Sequence, residues 1–386
     1  MSNSTLFPLW KLPQSVWAKF RRLSLGKRLV AVAAALCLAG GTVFSAVVAV
    51  QANLNDELFL NQAAETLRSI IGQEAVNWTE YTVYTWNHRI RKLFRGKPGR
   101  ENPVVAARLE WPLADALSHG AASDRPANIE PLVGFPVLQG EGQWNHVNGS
   151  QGLWITRVRP NAQEEWEYAT LVAIDPQKLK LTFVPGTIAE EPDLSRIPPE
   201  VFPSLVAAFN GGFRGHHLDV GMRKNGAVYK PLRDGLASII LTDDVLIRKW
   251  DPSVSASYPS ADVRQNLRLL LENGKYHPPF SSKEHLDFPT YRTGLGITAD
   301  HRWLIFAGGG GLEPNELAVA LRLASCSTAV HLDQNRGNVF FETVKRGKSG
   351  PTFIGIEPAL HHDKSTRFLT GSVRDFFYVT ERPKVG

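Results

Sequence analysis

The stretch that decides the fold lies between residues 153 and 184, where the sequence reads LWITRV (153–158), YATLVAI (168–174) and LKLTFV (179–184). Each segment is short and rich in β-branched, aromatic and aliphatic side chains, which is typical of a β-strand. The same pattern predicts later strands at 237–241, 295–297, 303–307, 329–332 and 339–342. Within the same part of the chain, two helices are predicted, at 261–273 and 314–325. Because strands dominate and do not alternate with helices, the sequence predicts an α+β fold with a mixed β-sheet and few helices.

An uncharged hydrophobic run precedes this domain, at residues 29–50. A helix of that length would rise roughly 33 Å, enough to cross a hydrocarbon core of about 30 Å. Basic residues crowd the flank before it, and the flank after it is mainly acidic. This asymmetry predicts a single-pass membrane protein with its N-terminus in the cytoplasm. The alternative is a cleaved signal peptide ending near residues 50–52, and both interpretations make the main domain extracytoplasmic.

The run divides the chain into four predicted parts. Residues 1–28 form a basic cytoplasmic tail, and residues 29–50 form the transmembrane helix. Residues 51–135 are predicted to be a helical stalk and linker, since apolar residues recur at helical spacing before a segment rich in Pro, Ala and Ser. Residues 136–386 then form the domain that carries the chemistry.

Charge and cysteine content limit the function classes. The totals are 43 Lys and Arg against 37 Asp and Glu, and residues 1–100 hold 13 of the basic and 5 of the acidic residues. The rest of the chain therefore has 30 basic and 32 acidic residues, which argues against a nucleic-acid partner. Cys37 lies inside the hydrophobic run and Cys326 far beyond it, so no disulfide between them is expected. An exported domain without disulfides indicates a bacterial envelope protein.

Several familiar catalytic motifs are absent from the sequence. There is no H-E-x-x-H metal motif and no G-x-S-x-G nucleophile elbow. The adjacent pairs His216-His217 and His361-His362 lack the spacing of metal ligands. The sequence therefore predicts neither a metal nor another cofactor.

Three segments carry residues suited to ligand binding. In the first, an apolar strand ends in Asn210-Gly211-Gly212-Phe213, which places a polar side chain and bare backbone at a sheet edge; His217 and Arg223 follow. In the second, Arg292 stands at the mouth of a Gly-punctuated strand, where it could grip a phosphate or carboxylate. An ordinary strand-turn and a surface arginine are the alternatives for these two segments.

The third segment begins with a glycine run at 308–311 that leads into the predicted helix at 314–325, whose N-terminus could bind an anion. The next strand ends at Asp333, with Asn335 and Arg336 just after it. The alternative is that Asp333, at the end of a strand, only stabilises a turn.

Taken in order, these segments resemble the phosphodiester glycosidase domain family. The matching motifs are Asn-Gly-Gly-Phe at 210–213, Gly-x-x-x-x-Gly at 221–226, Arg-Thr followed by Gly-Ile within 292–297, Gly-x-x-x-x-Glu-Leu-Ala at 311–318, and Leu-Asp at 332–333. The resemblance covers roughly residues 150–380. The family usually continues its final Asp with a glycine loop, whereas this chain has Gln334, Asn335 and Arg336 there.

The resemblance implies a hydrolase that cleaves the glycosidic C–O bond of a sugar-1-phosphodiester, and together with the hydrophobic run it predicts a membrane-anchored, extracytoplasmic enzyme that acts on envelope glycans or polymers. It assigns Asp333, Asn210, His217 and Glu316 to catalysis, with Glu316 alternatively only bracing its helix. It assigns Arg292, Arg223, Gly211, Gly212, Phe213, Asn335 and Arg336 to substrate binding. The altered loop after Asp333 leaves a second hypothesis, a non-catalytic carbohydrate-binding or scaffold protein on the same fold. A phosphoesterase ranks last, because such enzymes usually use metals.

Overall fold

The computed structural model describes residues 124–383, except 133–136, 148–149, 163–166, 190–191, 214–219, 278–287, 335–336, 349 and 362–365. The described residues all lie within one compact unit, Tyr81–Gly386. The predicted tail, the transmembrane helix and most of the stalk fall outside the described residues and stay predictions. Within the described part, no helix has the length and apolarity needed to cross a membrane.

The described chain is built mainly from β-strands. In chain order they are β1 (Asn145–His146), β2 (Leu153–Val158), β3 (Ala169–Ile174), β4 (Leu179–Val184), β5 (Leu205–Asn210), β6 (Met222–Lys224), β7 (Ala227–Lys230), β8 (Ala237–Leu241), β9 (Val245–Lys249), β10 (Asp262–Gln265), β11 (Leu269–Glu272), β12 (Lys275–Tyr276), β13 (Thr290–Thr298), β14 (Leu304–Leu312), β15 (Cys326–Gln334), β16 (Phe341–Gly347), β17 (Gly350–Gly355) and β18 (Phe376–Glu381).

Helices are few and short. They are α1 (Pro252–Ser257), α2 (Pro314–Leu323) and α3 (Arg367–Thr370), with 3-10 turns at Gly186–Ala189, Pro192–Leu194, Pro199–Ser204 and Pro358–Leu360. The prediction of a mostly β domain with few helices is confirmed, as are the predicted strands and the helix at 314–325.

The strands form three sheets. Sheet A has the order β1-β2-β3-β14-β13-β15-β11-β12, sheet B the order β17-β16-β5-β18-β4, and sheet C the order β7-β6-β10-β8-β9. The prediction of a mixed sheet is wrong for the described strands, because every strand pairing among them is antiparallel. Short connections such as the Asn225-Gly226 turn, with φ of 52° and 79°, suit antiparallel hairpins.

The predicted helix at 261–273 is also wrong. This segment forms β10 and β11, in two different sheets. Asp262, Val263, Arg264 and Gln265 pair with β8, and Arg264 and Gln265 are buried there in hydrogen bonds to other segments. These long-range contacts override the local helical pattern, which a single sequence cannot reveal.

One buried apolar cluster draws side chains from all three sheets. At its centre Phe209, Phe306, Phe341 and Phe377 lie with ring centroids 4.9–5.5 Å apart. Burial of each such ring contributes roughly 1.5–3 kcal/mol. The cluster therefore holds the ends of the neighbouring strands in fixed relative positions.

Helix α2 covers the other face of sheet A, and two glycines of β13 allow this contact. A Cβ at Gly296 would lie 3.3 Å from Leu321 of α2, and one at Gly294 would lie 3.2 Å from Leu317 and Leu321. The glycines that punctuate this strand therefore serve helix packing in the structure.

Candidate functional site

The three sheets bring together a cluster of charged residues around Asp333. Asp333 lies near the end of β15 in sheet A, Asp375 directly precedes β18 in sheet B, and Arg264 lies in β10 of sheet C. Arg374 completes this group, which is called the Asp333 cluster below. Its four charged residues come from three distant parts of the sequence, since only Arg374 and Asp375 are neighbours.

Asp333 itself is 4% exposed. Its Oδ1 accepts a hydrogen bond from the Gln334 N–H at 2.7 Å, and its Oδ2 lies 3.3 Å from Arg374 Nη1. Burial raises the pKa of Asp333 to about 7, with Asp375 raising it further and Arg374, the Gln334 N–H and Arg264 opposing the shift. A carboxyl group with a pKa near neutrality can accept or release a proton at physiological pH.

Asp375 is held by an arginine and by bare backbone. Its Oδ2 accepts from Arg264 Nε at 2.7 Å and from the Gly212 N–H at 2.9 Å. A Cβ at Gly211 would lie 1.9 Å from the same oxygen. The sequence predicted that a substrate lies against the backbone of Gly211 and Gly212. In the structure, the Asp375 carboxylate lies against it.

Phe213 and Asn210 support the same cluster. The Phe213 carbonyl accepts from Arg264 Nη2 at 2.6 Å, and its ring meets the His331 ring edge-on at 5.0 Å. Asn210 Nδ2 donates to Thr293 Oγ1 at 2.8 Å and to the Gly211 carbonyl at 2.9 Å. Thr293 Oγ1 in turn accepts from the Asp333 N–H at 3.3 Å. Asn210 thus positions the backbone of Asp333, and its predicted contact with substrate stays a prediction.

Arg292 lies close to the cluster but inside the protein, with an exposed fraction of 0%. Its guanidinium donates to the Leu312 carbonyl at 2.8 Å, the Phe288 carbonyl at 2.6 Å and Gln334 Oε1 at 2.8 Å. Gln334 is one of the residues that replace the family's glycines, and its side chain serves here to bind Arg292. The geometry gives Arg292 a positioning role beside Asp333.

His331 is another buried group next to this site. Burial lowers its pKa well below the usual range, and the Arg292 charge lowers it further. His331 is therefore neutral at physiological pH.

Two other candidates lie apart from these contacts. Arg223, in sheet C, donates to the carbonyls of Ala261 and Tyr258 and stacks on Trp250. Glu316 begins α2, where its Oε2 accepts from the Glu313 N–H at 2.8 Å and its Oε1 accepts from Asn161 Nδ2 at 2.7 Å. Glu316 therefore caps its helix, which is the alternative role foreseen from the sequence.

The remaining candidates cannot be placed. His217, Asn335 and Arg336 lie outside the described residues, so their predicted roles stay predictions. No group of three or more His, Cys, Asp or Glu side chains within the described part of the chain could hold a metal ion.

The glycine run at 308–311 differs from its prediction. It was expected to form a loop that offers backbone donors to an anion, but all four glycines belong to β14. Cβ atoms at Gly309 and Gly311 would lie 2.6 Å from the Tyr168 carbonyl oxygen and 2.7 Å from the Glu167 carboxylate. Close contact with the 167–168 segment explains these two glycines.

Sequence reasoning missed Arg374, Asp375 and Arg264. The sequence did contain a signal for two of them. The charged pair Arg374-Asp375 directly precedes the apolar strand FFYV (376–379), just as Asp333 lies at one end of an apolar strand. Arg264 gave no such signal, because it lay within the segment predicted to be a helix.

Comparison with known families bears on this geometry. Residues 203–333 match the family model of phosphodiester glycosidase. The resemblance inferred from the sequence is confirmed. The matched segment begins just before β5 and ends at Asp333, so it contains Asn210, Gly211, Gly212, Arg264 and Arg292, whereas Arg374 and Asp375 lie beyond it.

Solved structures give more distant likenesses. The catalytic domain of zebrafish N-acetylglucosamine-1-phosphodiester alpha-N-acetylglucosaminidase, auto-inhibited by its pro-peptide, is 14% identical over 69% of this chain and 91% of its own, with a TM-score of 0.41. A hypothetical protein from Synechocystis is 11% identical over 62% of this chain and 64% of its own, with a TM-score of 0.38. A putative exported protein from Burkholderia pseudomallei K96243 is 9% identical over 56% of this chain and 74% of its own, with a TM-score of 0.28. No curated protein sequence matches the chain.

Proposed function

We propose that this protein is a hydrolase that cleaves the glycosidic C–O bond of a sugar-1-phosphodiester, with Asp333 as its central catalytic residue. The observation that carries the proposal is the Asp333 carboxyl group itself, which ends the segment matched by the phosphodiester glycosidase model and has a pKa raised to about 7. A base whose pKa lies near the working pH is the most effective at removing a proton in a transition state.

The proposed reaction breaks the bond between the anomeric carbon and the phosphate oxygen. The electron pair of that bond leaves on the phosphate oxygen, which yields a phosphomonoester, while positive charge develops on the sugar ring. A new bond forms from water oxygen to the anomeric carbon, and the proton of that water passes to the Asp333 carboxylate. Direct attack by Asp333 to form a glycosyl-enzyme, hydrolysed in a second step, is the alternative with the same overall balance.

The rest of the cluster positions Asp333 and influences its pKa. Thr293 accepts from the Asp333 N–H, and Asn210 donates to Thr293, so the strand end is fixed from sheet B. Asp375 faces Asp333 and disfavours its ionised form, whereas Arg264 and Arg374 favour it. Opposing influences of this kind set a carboxyl pKa between the extremes.

The test is turnover by the full-length chain on a panel of synthetic sugar-1-phosphodiesters, with sugar-free phosphodiesters as the matched set. Release of free sugar together with a phosphomonoester, and no cleavage of the sugar-free set, is the expected result. Cleavage of both sets alike would instead indicate a phosphoesterase.

A second candidate function is carbohydrate binding without cleavage. The observation that favours it is Gln334, which follows Asp333 where the family usually has glycine and whose side chain is bonded to Arg292. Saturable binding of a phosphorylated glycan, with no product after prolonged incubation, would favour this function over hydrolysis.

The proposed setting is the cell envelope. The uncharged run at 29–50 and its basic flank support a single-pass protein with residues beyond about 51 outside the cytoplasm. Protease treatment of intact and permeabilised spheroplasts tests this topology. Degradation of the 136–386 domain in intact spheroplasts supports the proposal, and protection until permeabilisation contradicts it.

A further inference from the structure

Strand β15 is irregular at the point where it carries Asp333. Arg292 of β13 pairs with Gln334 of β15. Gly294, two residues further along β13, pairs with His331, which lies three residues back along β15. This is the arrangement of a β-bulge, which bends a strand, re-aims a side chain and is over-represented next to active sites. The direction of the Asp333 side chain therefore depends on the contacts that hold the bulge.

The side chain of Asn266 contacts this bulge. Asn266 lies in the link between β10 and β11 and is 1% exposed. Its Nδ2 donates to the Leu332 carbonyl at 2.6 Å and also to the His331 carbonyl. Successive carbonyls of a regular strand point in opposite directions, so one nitrogen can bind both only where the strand is bulged. The two hydrogen bonds therefore stabilise the bulged conformation.

The orientation of the Asn266 amide follows from these bonds. Exchanging the positions of Nδ2 and Oδ1 would place Oδ1 against two carbonyl oxygens, so Nδ2 must face β15. Oδ1 is buried on the other side of the amide, and it has no hydrogen-bond partner in the described structure. A buried acceptor without a donor destabilises the folded state. Asn266 is therefore not the side chain that stability alone favours at this position, which is typical of a functional site.

The bulge is also held from the side of β13. Thr293 Oγ1 accepts from the Asp333 N–H at 3.3 Å, and Asn210 Nδ2 donates to the same oxygen at 2.8 Å. Asn210 and Thr293 thus hold the backbone of Asp333, whereas Asn266 holds the two residues that precede it. Because misplacement of a catalytic group by 1 Å can lower turnover by about 10²-fold, both sets of bonds bear on the rate.

We propose that Asn266 is a positioning residue of this site, which holds the bulge of β15 so that the Asp333 carboxyl group points toward the other charged residues of the Asp333 cluster. The inference rests on the proposed function for the reaction in which Asp333 takes part. It goes beyond that function by assigning a role to a residue of the segment that the sequence predicted to be a helix. Asn266 acts through Asp333 and does not contact the substrate.

The first measurement is steady-state kinetics of the full-length chain on a sugar-1-phosphodiester. Asn266→Ala removes the amide, and Asn266→Leu removes it with little change in side-chain volume. Asn145→Ala is the matched control, because Asn145 Nδ2 also donates to a backbone carbonyl, that of Gln143 at 3.2 Å, and β1 lies at the far edge of sheet A from β15. We expect kcat of both Asn266 variants to fall by about 10–100-fold while KM stays within about threefold, and the control to be unchanged. Wild-type kcat in a folded Asn266 variant would overturn the proposal.

The second measurement does not need turnover. Urea midpoints of the wild type and Asp333→Asn are compared between pH 4 and 8, and the same comparison is made with Asn266→Ala present in both proteins. Burial raises the pKa of Asp333, so its carboxyl group stabilises the fold at low pH, and this contribution is lost as pH rises. Arg374, Asp375 and Arg264, the charged groups that face Asp333, are unchanged in these variants.

An Asp333 carboxyl group that the bulge no longer holds can turn toward solvent, which brings its pKa back toward the ordinary value. We therefore expect Asn266→Ala to reduce the pH-dependent difference between the two proteins to less than half of its wild-type size. A difference of undiminished size would show that Asn266 does not position Asp333.

The two measurements separate this inference from the proposed function. If the wild type cleaves no sugar-1-phosphodiester, the hydrolase proposal fails, and the pH dependence of stability alone decides whether Asn266 positions Asp333. If the wild type turns over, both measurements must change in the Asn266 variants. Circular dichroism shows which variants are folded, and Asn266→Ser, which keeps a shorter polar side chain, replaces any variant that is not.

Discussion

Asp333 and Glu316 are both buried carboxylates that the sequence offered as catalytic candidates, and their surroundings differ sharply. Both oxygens of Glu316 accept from uncharged protein donors, one on Glu313 and one on Asn161, at the start of a helix. Asp333 instead faces Arg374, Arg264 and a second carboxylate, at a place where three sheets meet. A carboxylate satisfied by neutral donors fixes structure, whereas one held among opposing charges can change its protonation.

Neutralising Asp333 and truncating Glu316 tests whether the two carboxylates differ in role. We expect Asp333→Asn to lower turnover by roughly 10²–10⁴-fold, the range that general acid–base catalysis supplies. Glu316→Ala should leave turnover within about threefold. Steady-state kinetics on a sugar-1-phosphodiester checks both. Equal losses in the two variants would erase the distinction between the sites.

The contribution of the buried ion pair between Arg264 and Asp375 to stability can be measured by removing the Arg264 charge. Arg264→Gln leaves Asp375 buried without its cation, which we expect to lower the free energy of unfolding by about 3–5 kcal/mol. The matched control is Arg346→Gln, since Arg346 pairs with Glu381 at 3.1 Å on the surface and both side chains are over 40% exposed. That control should cost less than about 1 kcal/mol. Urea unfolding measures the free energy of unfolding of both variants. Similar decreases in the two variants would contradict a stabilising buried pair between Arg264 and Asp375.

The pH dependence of stability follows from the raised pKa of Asp333. A carboxyl whose pKa is raised on folding stabilises the protein fully below the unfolded value, and this contribution is lost as pH rises through the folded value. Between pH 4 and 8 the wild type should therefore lose stability relative to Asp333→Asn, by on the order of 2–4 kcal/mol. Urea midpoints of both proteins across this range give the difference. A constant difference would show that the pKa of Asp333 is ordinary.

Gly211 allows a test of how the Asp375 carboxylate is held. A Cβ at this position would lie 1.9 Å from Asp375 Oδ2, so Gly211→Ala should lower the free energy of unfolding by about 1–3 kcal/mol and reduce turnover. Gly337→Ala is the matched control, because a Cβ there meets nothing within 4 Å. Thermal melts and kinetics on both variants test the expectation, and an unaffected Gly211→Ala would remove close approach as the reason for this glycine.

The smallest effect concerns Glu316 as a helix cap. Glu316→Ala removes the acceptor of the Glu313 N–H and should lower the free energy of unfolding by about 1 kcal/mol. Asn161→Ala removes the second partner of the same carboxylate and is the companion variant. Chemical denaturation resolves a change of this size, and an unchanged midpoint in Glu316→Ala would deny the capping role.

The sequence alone predicted about half of the described strands and the helix α2, because continuous apolar runs and a capping Glu are local signals. It also pointed to Asp333, Asn210 and the glycine pair through motifs of a family whose model matches residues 203–333. It placed Arg264 in a helix, since nothing local announces a buried ion pair with Asp375, which is 111 residues away.

The dependence on long-range contacts also explains why the sequence did not show which arginines are buried and which lie beside Asp333. Arg292 has the flanking pattern of a ligand-binding residue, yet its burial and its bond to Gln334 depend on the pairing of β13 with β15. Arg374 looked unremarkable because its partner Asp333 is 41 positions away in the sequence. Contacts across sheets, rather than residue types, decide which charge faces solvent.

The proposed reaction breaks the bond between the anomeric carbon and the phosphate oxygen. Hydrolysis of a synthetic sugar-1-phosphodiester by the full-length chain in ¹⁸O-labelled water, followed by mass spectrometry of the phosphomonoester product, tests it directly. We expect a phosphomonoester free of ¹⁸O, because water attacks the sugar carbon. Incorporation of ¹⁸O into the phosphomonoester would show attack at phosphorus and contradict the proposed function.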